Sequence, residues 1–338
     1  MSELTYRPWR EGDDLALNEL WGDPETYQSG QFRAAFAPNS SGRRDGGPND
    51  GGPDDGGTTV PDGSWRRCIV AEDQGIPVAA AVVYETRLHP QRLWAYLEVA
   101  RDHRRAGVGA TLLTMLRREA ERAPSGVRAL RTKVEPETPG AAFAQEAGLR
   151  QLQRSRIVRV QPGALRLPVF GDGSEAAATA QVQDLATGSV ELTDVVGRYY
   201  TDVHQWDPTG ALPPGTVQRL FLDDLSGAHG AVVLRERPES AFGGTVAPSR
   251  KGRIQAFAVS YSQGATDEPT DVFLGHEPAL PPGQAVAAVR DLLALIAHQY
   301  PVVLELDDSM VALSAVVEPI LAASAALVLG AETLVVGD

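Results

Sequence analysis

The segment best suited to chemistry runs Leu97-Glu98-Val99-Ala100-Arg101-Asp102-His103-Arg104-Arg105-Ala106-Gly107-Val108-Gly109-Ala110. An apolar strand ends at Val99, a turn follows, and a helix opens at Gly107–Gly109. Two glycines at that opening leave no Cβ between backbone and ligand. The first N–H groups of a helix have no intrahelical acceptor, and the helix dipole puts positive potential there, so the opening suits an anion. Arg104 and Arg105 add fixed charge, and a guanidinium forks onto phosphate oxygens. The alternative is a tight strand–helix turn with solvated arginines. Proton transfer needs other groups nearby: Tyr84 and Glu85 on one strand, Tyr96 and Glu98 on the next, with His89 and His103 on turns. Each also has a structural reading: Glu85 and Glu98 as solvated strand residues, Tyr96 as a packed aromatic with a wet hydroxyl, His103 as a neighbour of the phosphates.

Pattern reading supplies the elements that must position these residues. Leu4–Trp9 reads as a strand, Asp14–Trp21 as a helix, and Trp65–Ala71, Val78–Glu85 and Arg92–Val99 as three strands. Gly109–Arg122 is expected to be a helix, with Leu112, Leu113, Leu116 and Ala120 on one stripe. Strand Ala129–Val134, helix Pro139–Ala147 closed by Gly148 as a left-handed cap, and strand Gln151–Val160 complete the first half. Asn39–Asp62 is rich in Gly, Pro and Asp and reads as a disordered insertion.

The chain has 338 residues, 43% hydrophobic and 22% charged, enough for about two domains. Its net charge of −13 argues against a nucleic-acid partner. No apolar run approaches the ~20 residues of a spanning helix, so no membrane role is expected. One cysteine, Cys68, and the absence of a leader pattern point to the cytoplasm. No metal site is expected.

Arg104-Arg105-Ala106-Gly107-Val108-Gly109 resembles the (Gln/Arg)-x-x-Gly-x-(Gly/Ala) signature of the GNAT N-acetyltransferase superfamily, and Phe143-Ala144-Gln145-Glu146-Ala147-Gly148-Leu149 resembles its later Phe-Tyr-x-x-x-Gly-Phe helix end. The element order of Leu4–Val160 also follows that family. The resemblance implies acetyl-CoA or another acyl-CoA as co-substrate. Leu97 and Val99 would lie along the pantetheine arm, and Arg104, Arg105, Ala106, Gly107, Val108, Gly109 and Ala110 around the pyrophosphate. It implies transfer of the acyl group to an amine of a small molecule or peptide. The sequence departs from the family where the helix-end tyrosine is replaced by Ala144, and where strand positions that often carry Glu or His hold Leu93 and Ala95. Catalytic candidates are therefore Glu98, Tyr96 and Glu85. A non-catalytic acyl-CoA-binding or scaffold protein is the alternative.

After a Pro/Gly-bearing linker, 161–178, the second half repeats the order: helices Leu192–Trp206 and Val217–Asp224, strands Ala231–Glu236, Gly252–Tyr261 and Thr270–Glu277, helix Gly283–Gln299, strand Val302–Leu306, helix Met310–Ala325, strand Ala326–Val336. Its strand–helix junction carries Pro278, Pro281 and Pro282 in place of arginines and paired glycines, which removes N–H donors. The expected fold class is α/β with mixed sheets: two tandem GNAT-like domains, 1–160 intact and 179–338 degenerate. Tyr199, Tyr200, His204, Trp206 and Asp207, with Asp307 and Asp308, read either as an acidic aromatic cleft for a cationic amine or as core and helix-capping residues.

Overall fold

The structure is a computed structural model and describes residues 4–21, 30, 32–41, 64–237, 251–261 and 269–338. It divides into two compact units. Unit 1 comprises residues 1–152, 207–211 and 334–338; unit 2 comprises 153–206 and 212–333. The division at Leu152/Gln153 falls before the expected linker, which lies within unit 2. Most of the expected insertion, residues 42–62, lies outside the described residues. Its first three residues do not conform to a disordered reading: Asn39 Oδ1 accepts from the Cys68 amide at 2.8 Å, and Ser40–Ser41 pairs with Arg66 and Trp65.

Unit 1 is built on β1 (Thr5–Pro8), α1 (Asp13–Leu20), β2 (Ser40–Ser41), β3 (Trp65–Asp73), β4 (Ile76–Tyr84), β5 (Leu93–Val99), α2 (Val108–Ala120), β6 (Leu130–Val134), α3 (Pro139–Glu146) and the first residues of β7 (Arg150–Val160). β3 pairs antiparallel with β1 and β4, and β4 with β5; β5 and β6 run parallel. Leu334–Gly337 adds an antiparallel strand to the far side of β6. β4 is buried on both faces, so its run Val78-Ala79-Ala80-Ala81-Val82-Val83 is continuously apolar rather than alternating. Ala79, Ala81, Val83, Leu93 and Ala95 meet Leu112, Leu113, Leu116 and Ala120 of α2 in one core. The even-numbered residues of β5 therefore point to the opposite face.

Unit 2 contains the rest of β7, α4 (Glu175–Gln181), β8 (Val182–Leu185), α5 (Val190–Val203), a short α6 (Pro214–Val217), β9 (Ala228–Arg235), β10 (Ile254–Tyr261), β11 (Thr270–His276), α7 (Pro282–Ile296), β12 (Val302–Asp307), α8 (Val311–Ala322) and most of β13 (Ala326–Gly337). Its pairings run β8–β9–β10–β11 antiparallel, β11–β12 parallel and β12–β7 antiparallel. Neither α4 nor β8 was expected from the sequence. Each unit is thus a mixed sheet flanked by helices. Among the described residues no helix is long and apolar enough to cross a membrane.

Candidate active site

The parallel pairing of β5 with β6 stops after two residues: Leu93 opposes Leu130 and Trp94 opposes Arg131, and no register continues beyond them. β5 nevertheless stays paired with β4 as far as Val99. The sheet therefore opens between Ala95–Val99 and Thr132–Val134. Backbone parity fixes what lines the opening. The Leu93 amide bonds to Ala129 O and the Ala100 amide to Val78 O. Leu93, Ala95, Leu97 and Val99 consequently turn their N–H and C=O groups toward the β6 side, and Trp94, Tyr96 and Glu98 turn theirs toward β4.

A cleft of about 620 Å³ fills this opening. At one end lies the loop into α2. Arg105 and Gly107 both adopt positive φ, +62° and +80°. Gly107 is the helix N-cap, and a Cβ built there meets nothing within 4 Å. This left-handed geometry turns successive N–H groups toward one side, the arrangement that binds anions. Arg104 closes the loop by donating Nε–H to Val99 O at 2.8 Å. His103 lies beside it, its Nε2 3.1 Å from Asp73 Oδ2. At Gly109 an added Cβ would stand 3.5 Å from the Phe143 ring and 3.7 Å from Leu97, so the helix start packs closely on both.

On the other face of β5, Tyr96 donates its hydroxyl to Glu98 Oε2 at 2.9 Å. Burial, followed by the Glu98 carboxylate, pushes the Tyr96 phenol well above its ordinary range, so it holds its proton throughout the physiological range. Arg33 grips the same carboxylate with two bonds, Nε to Oε2 at 2.9 Å and Nη2 to Oε1 at 2.5 Å. Its guanidinium lies over the Trp21 ring at 4.4 Å. Phe32 stacks on Tyr96 at 4.9 Å and meets Trp94 edge-on at 5.5 Å, and Phe36 contacts Tyr96. On the facing strand Arg131 lies 4.1 Å and Lys133 5.9 Å from the Trp94 ring centre.

Of the residues expected from the sequence, Tyr96, Leu97, Glu98, Val99, Arg104, Arg105, Gly107, Val108, Gly109 and Ala110 line this one cleft; Ala106 and Glu85 do not. Ala106 is exposed on the loop. Glu85 directly follows β4 and its carboxylate accepts the Ser125 amide at 2.9 Å, which makes it a turn-capping residue. His89 is buried, with Nδ1 2.7 Å from Asp207 O. Sequence reasoning missed Arg33, which is 65 residues from Glu98, and Arg131 and Lys133 on β6. The aromatic run Phe32-Arg33-Ala34-Ala35-Phe36 was the available signal, a helix turn whose apolar residues have no strand alternation.

Of the two readings of Tyr199, Tyr200, His204, Trp206 and Asp207, the packed-core one fits Tyr199. Asp207 belongs to unit 1. There its carboxylate takes Arg131 and Arg92 Nη1. Tyr199 is 1% exposed and packs among Phe257, Phe273 and His276.

The acetyltransferase (GNAT) family model matches residues 50–149. No curated protein matches by sequence. Among solved structures, a tandem GNAT protein from the clavulanic acid biosynthesis pathway aligns over 99% of this chain and 98% of its own, at 14% identity and a TM-score of 0.51. A GCN5-related N-acetyltransferase from Sphaerobacter thermophilus aligns over 80% of each chain at 15% identity, with a TM-score of 0.45. Residues 50–149 thus match the acetyltransferase (GNAT) family model, in a chain that shares the fold of a tandem GNAT protein.

Proposed function

We propose that unit 1 is an N-acyltransferase that uses acetyl-CoA and delivers the acyl group to an amine of a small molecule or peptide. One observation carries this reading: a single cleft joins an anion-suited helix start, an opened strand edge and the Tyr96–Glu98 pair. The residues present fit acyl-CoA. The Arg105–Gly109 amides with Arg104 and Arg105 suit its phosphates. The outward backbone groups of Ala95, Leu97 and Val99 suit the amides of its arm. When bound, it supplies an acyl thioester.

The chain's own work is to hold the amine and move its protons. An ammonium acceptor must lose two protons as its C–N bond forms and the C–S bond breaks: one passes to solvent, the other ends on the departing sulfur. Glu98 is the group that takes the first and passes it to solvent; Tyr96, still protonated, is the one able to donate to sulfur, and it regains a proton as the nitrogen loses its second. Ala144, 4% exposed, stands where the family's tyrosine would and holds no proton. That residue and the Arg33 grip on Glu98 favour, as a second reading, an acyl-CoA-binding protein without turnover.

Unit 2 reads as a degenerate partner. Thr270 opposes Val302 as Leu93 opposes Leu130, so Gly275 holds the place in β11 that Glu98 holds in β5. A Cβ there would lie 2.4 Å from Phe257 and 2.6 Å from Tyr199, so aromatic rings occupy that space. Its α7 starts at Pro281–Pro282, where amide donors are missing. The buried, unpaired Cys68 suits a cytoplasmic setting.

The test is release of free thiol from acetyl-CoA across an amine panel by the wild type, Glu98→Gln and Tyr96→Phe. Turnover that falls by about 10²-fold or more in either variant, with co-substrate affinity kept, is expected for proton-transfer residues. Binding without turnover for every amine would leave the second reading standing.

A further inference from the structure

The plane of the opened sheet divides the cleft into two unlike halves. β5 turns Ala95, Leu97 and Val99 toward α2, and turns Tyr96 and Glu98 away from it. β6 divides in the same way. Leu130 joins the α2 core and Val134 packs with Ala144 and Leu149, whereas Arg131 and Lys133 stand by the Trp94 ring on the opposite face. Strand alternation puts Thr132 on the helix side, between Leu130 and Val134. On that side every lining residue of β5, α2 and β6 is apolar or glycine, Thr132 excepted. Glu135 and Glu146 join the lining only beyond the end of β6 and at the last residue of α3.

The helix half also has a closed end. β5 and β6 meet again at Leu93–Leu130 and Trp94–Arg131, and Ala95, Leu113 and Leu130, all buried, line the cleft there. An arm whose phosphates sit at Gly107 and whose amides follow the outward backbone groups of Val99, Leu97 and Ala95 ends against this wall. The group at its tip therefore meets hydrocarbon. A polar tip would lose its water there without gaining a partner, whereas an apolar chain gains by burial. Two of the walls are short. Ala95 on β5 and Ala144 on α3 each present only a methyl to a cleft of about 620 Å³, a volume in the range that holds a drug-sized ligand.

We infer that the helix half seats the acyl chain, that the chain it fits best is longer than acetyl (a propionyl or butyryl group in kind), and that Ala144 and Leu113 set its length. This rests on the acyltransferase reading above and widens its co-substrate.

The experiment titrates free CoA and the acetyl, propionyl, butyryl and hexanoyl thioesters into the full chain by calorimetry, without an acceptor. Wild type, Ala144→Leu, the milder Ala144→Val and Leu113→Ala are compared, with a thermal melt of each as control. Every acyl-CoA is read relative to free CoA in the same protein. In the wild type that ratio should rise about fourfold for each methylene from acetyl to butyryl, the worth of one buried CH2. The rise should be lost in Ala144→Leu, blunted in Ala144→Val and carried on to hexanoyl in Leu113→Ala. A ratio that is flat or falls beyond acetyl in the wild type would overturn the proposal and leave the acyltransferase reading intact. So would a rise that survives in folded Ala144→Leu or is undiminished in Ala144→Val. Failure of the wild type to bind any of these compounds would remove the acyltransferase reading and this proposal together.

Discussion

Asp207 offers a quantitative test of how unit 1 is held together. Its side chain is fully buried and bonds Arg131 through Oδ2 and Arg92 Nη1 through Oδ1 at 3.0 Å. Asp207→Ala removes the carboxylate but keeps the backbone carbonyl that His89 contacts at 2.7 Å. Arg92 is 19% exposed and also donates to Asp338 O at 3.1 Å, so its share of the loss is small. Arg131 is 1% exposed; it retains Thr86 Oγ1 at 3.2 Å and the Trp94 face but loses the Asp207 carboxylate in a dry site. Removing one partner of such a buried pair costs about 3–5 kcal/mol, whereas replacing both by apolar groups costs much less. Urea unfolding of the full chain, followed by tryptophan fluorescence, should show unit 1 destabilised by that amount in Asp207→Ala and by distinctly less in Asp207→Ala/Arg131→Met. A loss below about 1 kcal/mol for the single variant, or a double variant as damaged as the sum of both singles, would refute the reasoning.

Two further outcomes follow from unit 2. Gly275→Ala should destabilise unit 2 by about 1–3 kcal/mol in the same unfolding assay, because its Cβ would fall 2.4 Å from Phe257 and the buried Tyr199 has nowhere to retreat. The Arg235 fork, bonded to Glu191 at 2.6 and 2.7 Å, holds the Glu191 carboxyl below its ordinary value. The folded chain then binds fewer protons than the unfolded one near pH 4. The stabilisation is complete above the usual glutamate value of about 4.3 and is lost as pH falls through the lower folded value. Glu191→Gln should flatten that part of the pH–stability profile, and an unchanged acid limb would count against the pair.

Much of the site was legible because the local rules agree with one another. The helix opening at Gly107–Gly109, the apolar stripe Leu112, Leu113, Leu116 and Ala120, and Gly148 at φ +82° each follow from residue type at close range. The long-range pairings were not legible. Arg33 meets Glu98, Asp207 meets Arg131, and Asp338 meets Arg117 at 2.8 and 2.9 Å, across separations of 65, 76 and 221 residues. No periodicity records them. β8 was missed because Val182–Leu185 is a short edge strand beside Pro- and Gly-bearing chain. Glu85 was misplaced because strand alternation gives the face of a residue and not its distance from the opening between β5 and β6.

The central claim is that the Arg104–Gly109 loop binds acyl-CoA, and calorimetric titration of acetyl-CoA into the wild type, Gly107→Ala and Gly107→Glu tests it most directly. Both variants strain the same left-handed position by about 1–2 kcal/mol, but only glutamate places a negative charge in the open space beside Gly107. Saturable binding to the wild type, modestly weakened binding to Gly107→Ala, and affinity at least about tenfold lower again for Gly107→Glu are expected. Absence of binding to the wild type, or equal binding by all three proteins, would contradict it.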